Sequence, residues 1–200
     1  MTQVWDMHTH VLGTGDGGGD VGFTHDGSPA QWLFARAQEF FVRDAACLRS
    51  SGAGPADDAL LAHLAQLTQP FPAGARFQLL ALDAWHDSQG RRDNDRSHFW
   101  VGNDYCAQVV ARWPQRFEWA ASVHPYRPDA AQAIAQAADR GARALKWIPA
   151  AQGIDPASPR CDAAYEAIAR HRLPLISHAG QERAAPGDDR LGNPLRLRRA

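Results

Sequence analysis

Two hydrophobic rhythms alternate along the chain. Residues 3–11 alternate apolar with polar and close on a glycine-rich stretch, which predicts a strand. Four further apolar runs predict strands: Arg76–Trp85 (RFQLLALDAW), Phe117–His124 (FEWAASVH), Ala142–Ile148 (ARALKWI) and Leu173–His178 (LPLISH). Pro125 and Pro149 stop the second and third of these runs. Between the runs, apolar positions recur at helical spacing over 29–48, 55–69, 103–113, 129–140 and 161–171. Pro29 and Pro55 open the first two helices, and Gly141 ends the fourth. Gly13 to Pro29 is poor in apolar residues and predicts a mobile loop, and 87–96 predicts a polar one. Strand and helix in strict alternation imply a parallel sheet with helices outside. Nearly continuous apolar strands imply burial of both sheet faces. The expected core contains Val4, Leu79, Leu80, Leu82, Val123, Leu145, Ile148, Leu175 and Ile176.

Composition narrows the function classes. Two hundred residues, 44% hydrophobic and 22% charged, suit one globular domain over 1–200. A net charge of −1 offers no basic face for nucleic acid. No apolar run is long enough to span a bilayer, and the N-terminus lacks the pattern of a secretory signal. Cys47, Cys106 and Cys161 are too scattered for a disulfide framework or a zinc finger, so a reducing cytoplasm is expected. The expected partner is a small molecule. Lys146 is the only lysine, and there are nine histidines.

The chemistry collects at the predicted strand ends. In Asp6-Met7-His8-Thr9-His10, residues two apart face the same way, about 7 Å apart along the strand. His8 and His10 can then converge on one divalent metal, with Asp6 one step deeper to orient a ring nitrogen. A His-x-His pair alone is a weak signal. It gains weight at the C-terminal end of a first parallel strand, where active sites of α/β folds lie. His178, in Ile176-Ser177-His178-Ala179-Gly180, ends the fifth strand and reads as a third ligand or as a solvated loop histidine. Lys146 sits in an otherwise apolar strand, which is costly for a cation unless it is paired or used. It reads as an anion-binding ammonium, as a carbamylated bridge between two metals, or as a side chain snorkelling to solvent. His124 in Ser122-Val123-His124-Pro125 is a candidate substrate contact or a structural hydrogen-bonder. His86-Asp87 and His25-Asp26 are weaker candidates. His63, His98 and His171 have no comparable position, although His171 suits a helix C-terminus.

With these residues in place, the chain resembles the metal-dependent amidohydrolase superfamily, most closely its amidohydrolase-related branch. That branch includes aminocarboxymuconate-semialdehyde decarboxylase-like enzymes and related lactonases. The resemblance rests on His8-Thr9-His10, on His178 in LPLISHAG, on Val123-His124-Pro125 and on the Gly141–Trp147 run (GARALKW). It implies a (β/α)8 barrel, seen here as about five βα units with a helical insertion after the first strand. It implies His8, His10 and His178 as ligands of a divalent metal, zinc first, with His124 and Lys146 near the substrate. The family pattern continues with a histidine ending strand six and an aspartate ending strand eight, and both positions would fall beyond Ala200.

The resemblance implies hydrolysis of a C–O or C–N bond in a small carboxylated or cyclic substrate, with decarboxylation as the alternative. TatD-type deoxyribonucleases share the opening motif but place a glutamate where this chain has Leu145-Lys146-Trp147. Dihydroorotase-like enzymes place a carbamylated lysine there. Without the family aspartate, the 200 residues alone are expected to hold zinc weakly or not at all, to show no chelator-sensitive hydrolysis and to aggregate or associate through open strand edges. A non-catalytic barrel fragment is the reading from a different class.

Overall fold

A computed structural model describes residues 4–23, 37, 55–183 and 185–200. The helix expected over 29–48, together with His25, Asp26 and Cys47, lies outside these residues except for Ala37. Five strands form one sheet: β1 (Trp5–His10), β3 (Arg76–Leu80), β5 (Phe117–Ala121), β6 (Ala144–Trp147) and β7 (Leu175–Ser177). Their order is β1-β3-β5-β6-β7, every pair is parallel, and the order never reverses. An unreversed order separates a barrel segment from a doubly wound sheet, whose order turns back at a switch point. The strands form a partial (β/α) barrel.

The crossovers carry helices α1 (Ala56–Thr68), α2 (Asn103–Arg112), α3 (Ala130–Asp139) and α5 (Asp162–Arg170). The one-turn helix α4 (Pro149–Gln152) caps β6, opened by the proline and ended by Gly153 in a left-handed conformation. Two apolar clusters result. The larger lies between sheet and helices and includes Leu79, Trp119, Leu145, Trp147, Ile134 and Ile168. The smaller is Leu80, Ala120 and Ala144, with Ile176 against it, on the other face of the sheet.

The expected core holds through the middle of the sheet and fails at its edges. Leu79, Leu80, Leu82, Val123, Leu145 and Ile148 are buried. Val4 is 38% exposed, and Trp5 and Met7 are also exposed. Leu175 and Ile176 are half-buried. The reason is position: β1 and β7 end the sheet, and each has a neighbour on one side only among the described residues.

Residues 13–20, expected to be a mobile loop, are pinned. Asp57, buried at the start of α1, accepts hydrogen bonds from the backbone N–H groups of Thr14 (2.5 Å), Gly15 (3.1 Å) and Gly17 (3.3 Å). Asp16 reciprocates by accepting from the N–H groups of Ala56 and Asp57. Glycine is needed because a Cβ at Gly13 would meet the Asp57 carboxylate at 2.7 Å. The loop leads into a short antiparallel ribbon, β2 (Val21–Phe23) with β4 (Phe99–Val101). Paired backbone bonds between Leu82 and Val101 (2.8 and 2.9 Å) tie the ribbon to the end of β3. Strands of three residues are too short for a period, so the pattern did not reveal them.

The Asp57→Ala variant strands three backbone donors and should lose about 1–3 kcal/mol of stability. Urea denaturation measures this, and a loss below about 0.5 kcal/mol would show that the clamp is dispensable.

Candidate metal centre

Strand register decides which side chains share the inner face. His10 pairs with Leu80, Leu80 with Ala120, and Ala120 with Ala144. Alternation then puts Lys146 on the same face, where it pairs with Ile176. His178 continues β7 by donating its backbone N–H to Trp147 O (2.9 Å), two residues beyond Ile176. Parallel pairing therefore brings the C-terminal ends of the first, fourth and fifth sheet strands to one rim.

At that rim the rings of His8 and His10 meet edge to face, with their Nε2 atoms 3.0 Å apart. The register of β1 slips between Asp6 and Thr9, so the simple alternation expected of Asp6, His8 and His10 is broken. Asp6 accepts the backbone N–H of His8 (2.9 Å) rather than holding a ring nitrogen. Both imidazoles are held below the ordinary histidine pKa. Desolvation is the largest cause for each, followed by the Lys146 charge for His8 and by the His8 charge for His10. Both rings therefore favour the neutral form, which carries a lone pair.

Lys146 is 3% exposed. Burial pushes its amine below the ordinary lysine range, and the carboxylate of Glu182 opposes that shift. Its neighbours in a recess beside His10 include Leu80, Leu82, Phe99, Val101 and Ile148, so the β2–β4 ribbon forms an apolar wall there. His178 turns its Nε2 towards the carbonyl of Gln181 (3.2 Å) and lies 3.7 Å from the carboxylate of Glu182. It is close enough to His8 for the two charges to interact. Among the described residues no three histidine, cysteine or acidic side chains already surround one point. The rim instead presents two pairs, His8 with His10 and His178 with Glu182, and the buried amine of Lys146.

His124 is fully buried, with both ring nitrogens engaged. Nδ1 accepts the N–H of Tyr126 (3.2 Å), and Nε2 donates to Gln152 O (2.9 Å). Its backbone N–H donates to Asp83, which also pairs with Arg127 at 3.0 Å. These contacts are those of a structural joint between the end of β5 and α4. His86 stacks beside it at 4.9 Å and donates from Nδ1 to Ala84 O. A separate recess of about 220 Å³ outside the sheet is lined by three Asp–Arg pairs, Asp20–Arg92, Asp83–Arg127 and Asp104–Arg140, whose charges cancel.

Glu182 was missed by sequence reasoning. Its side chain is only 6% exposed, and its charge acts on His10 and Lys146 as well as His178. The available signal was an acid four residues after the strand-ending histidine.

No sequence family and no curated protein matches the chain. Solved structures do. One is 5-carboxyvanillate decarboxylase LigW from Sphingomonas paucimobilis, at 20% identity and a TM-score of 0.51, covering 90% of this chain and 52% of that one. A second is the LigW2 decarboxylase of Novosphingobium aromaticivorans, solved with manganese and 3-methoxy-4-hydroxy-5-nitrobenzoic acid, at 17% identity and a TM-score of 0.50, covering 96% and 54%. A third is a TIM-barrel protein from Bordetella bronchiseptica, at 18% identity and a TM-score of 0.51, covering 99% and 62%. The chain has the fold of these solved barrels, as a partial (β/α) barrel. It spans about half the length of the first two of these structures.

His124 makes the stability of this barrel segment depend on pH. Burial lowers its pKa to about 4, against an ordinary value of 6.5, so the folded state binds the proton less tightly than the unfolded chain. The stability tied to neutral His124 is complete above about pH 6.5 and is lost as pH falls towards 4. Urea denaturation between pH 7 and 4.5 should show this loss, and His124→Asn should flatten it. An unchanged slope in the variant would assign the dependence to other groups.

Proposed function

We propose that this amidohydrolase-type segment carries most of a divalent-metal centre, with His8, His10 and His178 as nitrogen ligands and zinc as the first choice. The observation that carries the reading is the His8–His10 pair, with Nε2 atoms 3.0 Å apart beside a buried lysine. Two nitrogens at about 2.0–2.1 Å from one tetrahedral cation stand about 3.3 Å apart, so the donor set fits with a shift of a few tenths of an ångström. The manganese bound by the Novosphingobium decarboxylase supports a divalent site in this fold. When bound, such an ion polarises a carbonyl or lowers the pKa of water.

The chain's own residues supply the rest. Lys146 binds a carboxylate of the substrate, since a buried ammonium is stabilised by an anion brought to it. Phe99 and Val101 shield that contact from water. His124, held by its hydrogen bonds to Gln152 and Tyr126, fixes the loop after β5. Hydrolysis of a C–O or C–N bond in a small carboxylated or cyclic substrate is the reaction favoured, with decarboxylation second. A lysine at this strand position also suits a carbamylated bridge between two metals. A reducing cytoplasm suits the free, buried Cys106 and Cys161.

A second reading follows from the edges. β1 and β7 have unpaired sides among the described residues, and Trp5 and Met7 are exposed on β1. Open parallel edges favour self-association and a non-catalytic segment.

Titration of the chain with Zn²⁺ separates the two. At most one weakly held ion per chain is expected, with His8→Gln or His10→Gln weakening affinity at least about 10-fold. Lys146→Met should leave zinc binding in place and abolish protection of the chain by small carboxylates in thermal shift. Zinc binding that survives both histidine substitutions would sink the metal reading.

A further inference from the structure

The polar loop expected over 87–96 folds back onto Trp85, beyond the end of β3. Asp93 N–H donates to Trp85 O (2.9 Å), Trp85 N–H donates to Ser97 Oγ (3.0 Å), and Ser97 Oγ donates to Asp93 O (2.6 Å). Arg96 N–H donates to the Asp93 carboxylate (3.2 Å). These bonds set the Arg96 guanidinium over the Trp85 ring, 4.5 Å from its centroid. Gly153, just after α4, lies so close to Trp85 that a Cβ there would collide with the indole nitrogen. Neighbouring arginines are neutralised, Arg91 by Asp87, Arg92 by Asp20 and Arg127 by Asp83. Arg96 has no acid partner among the described residues. With Trp85 and His98 it lines a recess of about 330 Å³, walled elsewhere by Ala150, Ala151 and Pro186. That volume is within the range of small-molecule sites. Asp188 also lines the recess, but both its carboxylate oxygens are held by Arg190. None of His8, His10, Lys146 and His178 lines it.

We propose that this recess binds a phosphate monoester, with the phosphate on Arg96 and the organic part against Trp85, Ala150, Ala151 and Pro186. A guanidinium presents a fork of donors that matches two phosphate oxygens at once. A single carboxylate on an exposed guanidinium gains little. A second negative charge and a third acceptor oxygen raise that gain, so a dianion is the better match. The apolar walls offer burial to an ester group, which an inorganic ion cannot use. Stacking on the indole already positions the cation, so little side-chain freedom is lost on binding. The site needs no metal and stands independently of the metal reading.

The test follows the Trp85 indole N–H resonance, assigned with Trp85→Phe, as phenyl phosphate is added at about pH 7.5, where it is mostly dianionic. A saturable shift is expected, weakened at least about 10-fold by Arg96→Gln and several-fold by Arg96→Lys, which keeps the charge and loses the fork. Both variants should keep the thermal midpoint, since the side chain is exposed. Lys146→Met and His8→Gln should bind phenyl phosphate as the wild type does, which separates this recess from the metal centre. Inorganic phosphate should bind more weakly than phenyl phosphate, and benzoate should leave the resonance unmoved. No saturable shift by about 10 mM phenyl phosphate, wild-type affinity in Arg96→Gln, or equal binding of benzoate would overturn the proposal. Equal binding of inorganic phosphate would overturn the assignment of an ester. Loss of binding in Lys146→Met would move the ligand to the rim and overturn the separate site.

Discussion

Burying the ammonium of Lys146 is the constraint around which the rim is organised. A lone cation at 3% exposure is unfavourable by several kcal/mol unless something faces it. β6 gives it no choice of direction, since Ala144 and Lys146 share the inner face while Leu145 and Trp147 are committed to the helix side. The charge of Glu182, from the segment after β7, opposes the desolvation of Lys146, while burial, with the Lys146 charge adding to it, lowers the pKa of His8 and His10. Lysine, acid and neutral imidazoles form one electrostatic unit, built from strands far apart in sequence and joined by parallel pairing.

The same sheet explains why the rim is half-assembled. Its middle strands are fully buried, yet β1 carries exposed Trp5 and Met7 and a register slip beside His8. Deeper on the inner face, Gln78 is 1% exposed and neither atom of its amide has a partner among the described residues. Buried amides of that kind are rare in closed folds. The chain spans about half the length of its structural neighbours.

Much of this was legible in the sequence because it rests on periodicity. The five parallel strands, their order and the rim positions of His8, His10, Lys146 and His178 follow from apolar runs that stop at chemistry-bearing residues. What was not legible depends on contacts across long separations. Asp57 clamps a loop some 40 residues earlier, and glycine content alone reads as mobility. The β2–β4 ribbon joins residues 21–23 to 99–101 through strands too short to show a period. The bulge that turns Asp6 away from the imidazole rings is a register event invisible to an i, i+2 rule. His124 read equally as a substrate contact or a structural hydrogen-bonder because it ends a strand, and its burial against α4 comes from a contact across a long separation. Glu182 lies beyond the last strand, and its approach to His178 at 3.7 Å is set only by the fold.

The metal proposal requires His8, His10 and His178 to converge on one ion. X-ray absorption of the zinc-loaded chain measures that shell directly. The account predicts imidazole scattering from three histidines at about 2.0–2.1 Å, together with a light oxygen donor and no sulfur. A shell dominated by cysteine sulfur, or one with no histidine signature, would contradict it.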